Sequence, residues 1–278
     1  MFSNRRLEER KSALEKINIL KHKIDKINVI HYSCESFYHN NGSTPRITDI
    51  CVKNKINGSS HVFSIHLQAQ IRRKELCCLS MHDFDLLEKE MLDSFYKYVK
   101  SHKTDYWVHW NMRNPIYGFD AIANRYKILG GNPVEIEDQF RFDLNNLMFG
   151  LYTKEFEFNE PKGRMLNIAE RNKITVRDAL TGKEEADAFA QRDYQKLFMS
   201  TARKVEIIDM ITDLVAKDQL LVNTPKYKIY GLSIPGIIEM VKNNWILTLL
   251  VSVCIYVLGI ISEDYVKTLF SEFKIFFN

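Results

Sequence analysis

INVIHYSCESFYHNNGSTPRITDICVKNKINGSSHVFSIHLQ, residues 27–68, is the stretch that decides the fold. It holds three runs rich in β-branched and aromatic residues, Asn28–Tyr32, Arg46–Lys53 and Ser60–Gln68, each of strand length. The first two are separated by the turn-rich HNNGSTP, His39–Pro45, and the last two by Asn57-Gly58. An Asn-Gly pair between such runs is a hairpin signal, because both residues tolerate the positive φ of the tight turn. The opening therefore predicts a three-strand meander.

Working outward, Phe84–Lys100 places Leu86, Leu87, Met91, Leu92, Phe95 and Val99 at helical spacing. Tyr106–Trp110 reads as a short fourth strand. Phe119–Leu129 reads as a helix stopped by Gly130-Gly131, and Asp143–Tyr152 as another. That glycine pair follows a helix and lacks the downstream Lys-Ser/Thr of a phosphate-binding loop, so it reads as a helix C-cap. Beyond residue 162 the chain reads as helical, at Leu166–Arg171, Lys183–Phe189 and Tyr194–Leu214, the last with an apolar face of Leu197, Val205, Ile208, Ile211 and Leu214. Strands first, with one strand reached through a helix, describe an α/β domain over residues 27–223. Ahead of it, in a segment set at 1–26, residues 5–27 read as an amphipathic helix, with Leu7, Leu14, Ile17, Leu20, Ile24 and Ile27 recurring among charges. Such a helix either pairs with a second copy or packs on its own domain, since about three heptads make a marginal coiled coil.

Residues 224–278 form a membrane-associated segment built around WILTLLVSVCIYVLGII, residues 245–261, which carries no charge. Its length sits at the short end of the ~17–25 residues that cross a bilayer. The segment is apolar all round, whereas the alternative, a core helix of a soluble domain, usually keeps a polar face. Lys226, Lys228 and Lys242 precede it and Glu263 and Asp264 follow. The positive-inside bias then places the large N-terminal domain in the cytoplasm, at a bacterial inner membrane in this reading, as a single-pass protein. Ile229–Val241, interrupted by Pro235-Gly236 and containing Glu239, fits an interfacial or re-entrant segment.

The 39 basic and 35 acidic residues leave a formal charge of +4, which permits a nucleic-acid partner without demanding one. Five cysteines without paired CxxC spacing fit reduced thiols better than a disulfide scaffold or a zinc module. The N-terminus has no apolar h-region, so a cleaved secretory signal is not expected.

Several residues carry chemistry. On a strand, His31, Ser33 and Glu35 share one face while Tyr32 and Cys34 point the other way, and a polar cluster of that kind is ill-suited to a core. Glu35 is read as functional, with a structural hydrogen bond or simple exposure as the plainer alternatives. His109, Trp110 and Asn111 combine stacking surface with hydrogen-bonding groups at a strand end, against the alternative of buried tryptophans. His82, Asp83 and Asp85 crowd together, and Asp83 reads as a helix cap rather than a metal ligand. Arg5, Arg6, Arg72, Arg73 and Lys74 are basic patches whose default reading is solvated surface. His61 and His66 fall on opposite faces of the third predicted strand.

INVIHYSCESFY (27–38), PRITDICVKN (45–54) and HVFSIHLQ (61–68), with YWVHWNMRNPIYGFDAIANRYKILGG (106–131), resemble the DEDD 3′–5′ exonucleases of the ribonuclease H-like fold, over roughly residues 27–210. The resemblance implies a ribonuclease H-like mixed sheet with flanking helices, followed here by the transmembrane helix. It also implies carboxylates that hold two divalent metals ~3.5–4 Å apart. Glu35, Asp120 and Asp143 match that set as catalytic residues, with Glu35 and Asp120 as metal ligands. Ser33 stands where the family has Asp, and a hydroxyl is no anionic bridging ligand. At the C-terminal helix, Phe198 and Arg203 occupy the places of the base and the last ligand; Tyr194 with Glu206 or Asp209 would supply the missing groups in another register.

The expected protein is therefore a membrane-tethered, catalytically degenerate exonuclease-like protein that senses nucleic acid or a partner, as a bacterial stress or phage-defence effector would. No cofactor is expected. His31, Ser33, His109, Trp110, Asn111 and Arg203 are its expected contact residues, and membrane lipid, a homo-oligomer or hetero-complex and nucleic acid its expected partners. The alternatives are an active 3′–5′ exonuclease using Mg²⁺ or Mn²⁺, and a non-enzymatic structural adaptor.

Overall fold

The computed structural model describes residues 5–35, 44–113 and 115–276, so most of the turn-rich stretch at 39–45 lies outside the described residues. The chain divides into two compact units, one of Arg10–Thr224 and one that takes in the start of the first helix and everything from Pro225 onward.

In the larger unit a mixed sheet of strand order β3-β2-β1-β4-β5 is flanked by helices. The strands are β1 (Ile27–Cys34), β2 (Ile47–Asn54), β3 (Ser60–Ser64), β4 (Tyr106–His109) and β5 (Arg141–Asp143). β1 pairs antiparallel with β2, and β2 antiparallel with β3, which is the expected meander. β4 and β5 then add in parallel on the other side of β1. A parallel neighbour needs a crossover, and the helix α3 (Met81–Ser101) provides it between β3 and β4. Its capping box, Ser80 with Asp83, satisfies the first backbone donors reciprocally. Asp83 thus caps as expected, in the reciprocal N3 position.

α3 buries Phe84, Leu87, Met91, Phe95 and Val99 in a core with Ile30 and Tyr32 of β1, Ile50 and Val52 of β2, and Trp107 of β4. The apolar side chains are each worth roughly 1.5–3 kcal/mol relative to exposure. Ile122 of α4 (Phe119–Ile128) joins the same core. α4 begins at Gly118, at φ 154°, where a Cβ would come within 2.6 Å of the Met112 carbonyl. The Gly118 amide donates to the Tyr32 hydroxyl at 2.9 Å, tying this loop to β1. Gly130, at φ 77°, ends α4 as the C-cap reading expects. The long helix α8 (Tyr194–Ala216) lies against β1 and β2 and buries Leu197, Val205, Ile208 and Ile211.

Two readings of the sequence need correction in this unit. Residues 65–68 are not strand: Ser64 ends β3 and its hydroxyl accepts from the His66 amide, opening the helix α2 (Ile65–Ile71). His61 and His66 therefore do not occupy one strand. The fifth strand, β5, was not expected. It is three residues long and is followed at once by α5 (Leu144–Tyr152), so no alternating pattern has room to develop. Short helices α6 (Arg164–Arg171) and α7 (Gly182–Ala190) connect to α8. The N-terminal helix α1 (Arg5–His22) buries Ala13, Ile17 and Leu20, and Arg10 donates to the Leu151 carbonyl at 2.8 Å, as a helix packed on its own chain does.

The smaller unit holds α9 (Lys226–Tyr230), α10 (Ile234–Lys242) and α11 (Trp245–Phe276). Pro235-Gly236 does not interrupt a segment but starts one. Ser233 caps α10 and Pro235 sits in its first turn, where a missing N–H costs nothing. Gly236 packs so closely on α9 that a Cβ would lie 2.6 Å from the Gly231 carbonyl oxygen and closer still to that of Tyr230. Gly236→Ala should destabilise the α9–α10 pairing by about 1–3 kcal/mol, read as faster amide exchange in both helices and unchanged exchange in the sheet. Equal protection in the variant would show that the close approach is not needed.

Among the described residues one helix is long and apolar enough to cross a membrane, over Trp245–Glu263, and none of that span is buried. The core helix of a soluble domain is mostly buried, and this one is not buried by the described residues. Exposure of Leu249, Ile255, Leu258 and Ile261 along one element makes an apolar surface far larger than soluble monomers leave in water.

Candidate functional site

β1 carries its polar residues as the alternation predicts, but into the interior. His31 and Ser33 are both buried, and the face they share is closed by α8. The Ser33 hydroxyl is 2.7 Å from that of Thr201 and donates to Glu185 Oε1 at 3.3 Å. Glu185, on α7, also accepts from Ser200 at 3.0 Å and from the Lys204 ammonium at 2.6 Å. Directly across the ladder from Ser33 stands Asp49 of β2. Its Oδ2 accepts from Thr48 at 2.9 Å, while its Oδ1 is buried without a hydrogen-bond partner among the described residues. Burial pushes the Asp49 carboxyl up to about 7, against the pull of hydrogen bonds from Thr201 and Thr48. The His31 imidazole is held well below its usual range by burial, then by the positive charge of Lys204 and by His109, so it is neutral. Its Nδ1 is likewise unpartnered among the described residues.

Asp49, Glu185, Ser200, Thr201 and Lys204 were not singled out from the sequence. A signal existed for two of them. Asp49 interrupts the apolar run ITDICV, and Lys204 falls on the buried stripe of α8, four residues from Ser200 and Ile208. Arg203 lies about 100° round the helix from Lys204, lining a cavity with Phe198, Met199 and Glu206. The cation that faces β1 is therefore Lys204, not Arg203.

Glu35 follows the end of β1, past an irregularity between Ser33 and Cys34. Its amide donates to the Arg46 carbonyl at 2.8 Å and its carboxylate accepts from the Arg46 amide at 3.4 Å, which is the structural hydrogen bond among the alternatives for this residue. Asp120 and Asp143 border one cavity of about 390 Å³, together with His109, Arg113 and Arg141. Asp143 caps α5, accepting from the amides of Asn145 and Asn111 at 3.1 Å each, and its Oδ2 is 3.0 Å from Arg113. Asp120 is 3.5 Å from Arg141. His109 is buried and neutral, held down to about 3 by burial and then by Arg141 and Arg113, and its Nδ1 accepts from the Met112 amide. Both Trp107 and Trp110 are buried, the latter beside Phe156. Asn111 accepts from the Asn145 side chain at 2.8 Å.

The structure thus brings Asp120, Asp143 and His109 to one place, His31 and Ser33 to another, and leaves Glu35 beside Arg46. Among the described residues no group of three or more His, Cys, Asp and Glu is placed to hold a metal ion. Asp120 and Asp143 each face an arginine, at 3.5 and 3.0 Å, and Glu185 Oε1 takes an ammonium and two hydroxyls. The other acids considered, Glu206 and Asp209, pair with Lys53, and Asp209 also with Lys55. Tyr194 is buried in the core beside Phe84 and Phe189. No family model matches this chain, and no curated protein is similar to it in sequence.

Proposed function

We propose that this chain is a membrane-tethered protein with a ribonuclease H-like domain that has lost two-metal hydrolysis and serves to recognise nucleic acid or a protein partner, in the manner of a bacterial stress or phage-defence effector. The mixed sheet with flanking helices supports the fold assignment. The observation that carries the loss of hydrolysis is the Lys204–Glu185 pair at 2.6 Å beside Ser33. The ammonium occupies the strand face where the resemblance calls for carboxylates and cations, and by pairing with Glu185 it cancels the negative charge that would draw Mg²⁺ there. The helix Trp245–Glu263 supports the tether, and the lysines before it support a cytoplasmic domain.

Full-length protein in mild detergent is the material for the test. Incubated with 3′-labelled single-stranded DNA or RNA and Mg²⁺ or Mn²⁺, it should leave the label intact, and calorimetric titration should show no tight two-site metal binding. Metal-dependent digestion that disappears in Glu35→Gln would put the active exonuclease first. Recognition of nucleic acid should appear as binding that weakens steeply with salt; no binding at physiological salt leaves the protein partner. Membranes carrying the protein should retain it through alkaline carbonate extraction, and its recovery as a soluble monomer without detergent would sink the tether.

A further inference from the structure

We infer that α10 is a lipid-contacting helix that lies in the headgroup layer of the membrane, beside the point where α11 enters it. This rests on the reading of α11 as a membrane span.

Three observations converge. The first is the face α10 presents. Gly236 is the buried side, seated on the carbonyls of Tyr230 and Gly231. Ile234, Ile237 and Ile238 share the opposite side at helical spacing and are 76, 43 and 49% exposed, with Leu232 just ahead at 76%. A charge-free stripe with Glu239 and Asn243 behind it is an amphipathic helix facing outward.

The second is the corner that follows. Asn243 and Asn244 end one helix and start the next. The Asn243 side chain donates to the Glu239 carbonyl at 2.8 Å, and Asn244 Oδ1 accepts from the Ile246 amide at 3.1 Å. Thr248 closes the corner by donating to the Val241 carbonyl at 2.7 Å. α10 is therefore a distinct helix, and only two residues separate its end at Lys242 from the span at Trp245. The three steps from Lys242 to Trp245 reach at most about 11 Å, so a spanning α11 holds the end of α10 at the bilayer surface.

The third is charge. Exposed Lys226 and Lys242 flank the apolar stripe and match the anionic headgroups of that layer. Trp245, 75% exposed at the first turn of α11, has the amphipathic ring that favours the same depth. An aqueous partner would have no reason to require all three in this order.

The test uses the full chain in vesicles of phosphatidylcholine and phosphatidylserine whose acyl chains are brominated near the glycerol backbone. Tryptophan emission is compared for the parent and Ile238→Trp, against the constant background of the buried Trp107 and Trp110. In the parent, Trp245 should be quenched by the bromolipid, which checks the span itself. Ile238→Trp should add emission that bromolipid quenches and aqueous iodide does not. If Trp245 is quenched by bromolipid while the emission added by Ile238→Trp is open to iodide, the inference is overturned and the span stands. If the emission added by Ile238→Trp is shielded from both quenchers, a protein covers the stripe, which also overturns it. An unquenched Trp245 removes the span and the inference together.

Discussion

Replacing Glu88 by Ala should cost about 3–5 kcal/mol of stability in the larger unit, read by urea unfolding of the full-length protein in detergent through the buried Trp107 and Trp110. Glu88 lies on the core-facing side of α3, and its side chain is 0% exposed. It accepts the Arg125 guanidinium through two nitrogens, at 2.9 and 2.6 Å, lies 3.5 Å from Arg46, and accepts the Ile47 amide at 2.8 Å. One carboxylate thus anchors the start of β2 and the side of α4 to α3. Its removal leaves two arginines, 7 and 11% exposed, that share Asp85 as their remaining carboxylate among the described residues. Glu88→Gln keeps an acceptor for the amide and should lose roughly half as much. Asp85→Asn, at a side chain 43% exposed, should lose no more than about 1 kcal/mol. Loss of less than about 1 kcal/mol in Glu88→Ala would mean that water enters and solvates the arginines, and the network would not be a structural centre.

That centre bears on the site, because Arg46 is the residue whose backbone holds Glu35. A resemblance in short motifs directs attention to Glu35 as a ligand, whereas in the folded chain its backbone and carboxylate meet Arg46 at the end of the β1–β2 ladder. Local pattern reads the strands β1 and β2 well because each is long enough to show alternation and each ends at a turn signal. It fails at β5, where three residues carry no period, and at Ile65–Gln68, where apolar residues continue past Ser64 and nothing but its capping hydroxyl marks the change to helix. The polar face of β1 was legible from His31 and Ser33, and its partners were not. Asp49 reaches Ser33 through ladder register, and Thr201 and Lys204 reach it through the packing angle of α8. Neither relation is written in local sequence. The same holds for Arg203 and Lys204, adjacent in the chain and separated by the turn of a helix.

The buried Asp49 gives that cluster a pH signature. Its carboxyl titrates near 7 in the folded protein against an ordinary 3.8, so the folded state binds the proton more tightly than the unfolded chain. Stability from this group is fully present below about pH 4, falls as pH rises, and levels off once the carboxyl has ionised above about pH 7. The swing is up to about 4 kcal/mol. The groups that face it set the sign: Glu185 on α7 opposes ionisation, while Thr48, Thr201 and Lys204 favour it without offsetting the loss of water. His31 is held neutral and contributes no charge to the balance across this range. Asp49→Asn keeps the shape and an acceptor for Thr48 and removes the titration. Wild-type protein should therefore lose thermal stability between about pH 5 and pH 8. Asp49→Asn should show a flatter profile and a Tm at pH 8 higher by roughly 5–15 °C, at about 2–4 °C per kcal/mol for a unit of this size. Lys204→Met, by contrast, should destabilise the domain at both pH values, since it strands the Glu185 carboxylate among hydroxyls. A wild-type profile that rises over the same interval, with Asp49→Asn less stable throughout, would mean that Asp49 is ionised and paired with Lys204; the strand face would then hold a second fixed negative charge, and the ammonium would no longer suffice to keep a divalent cation away from it.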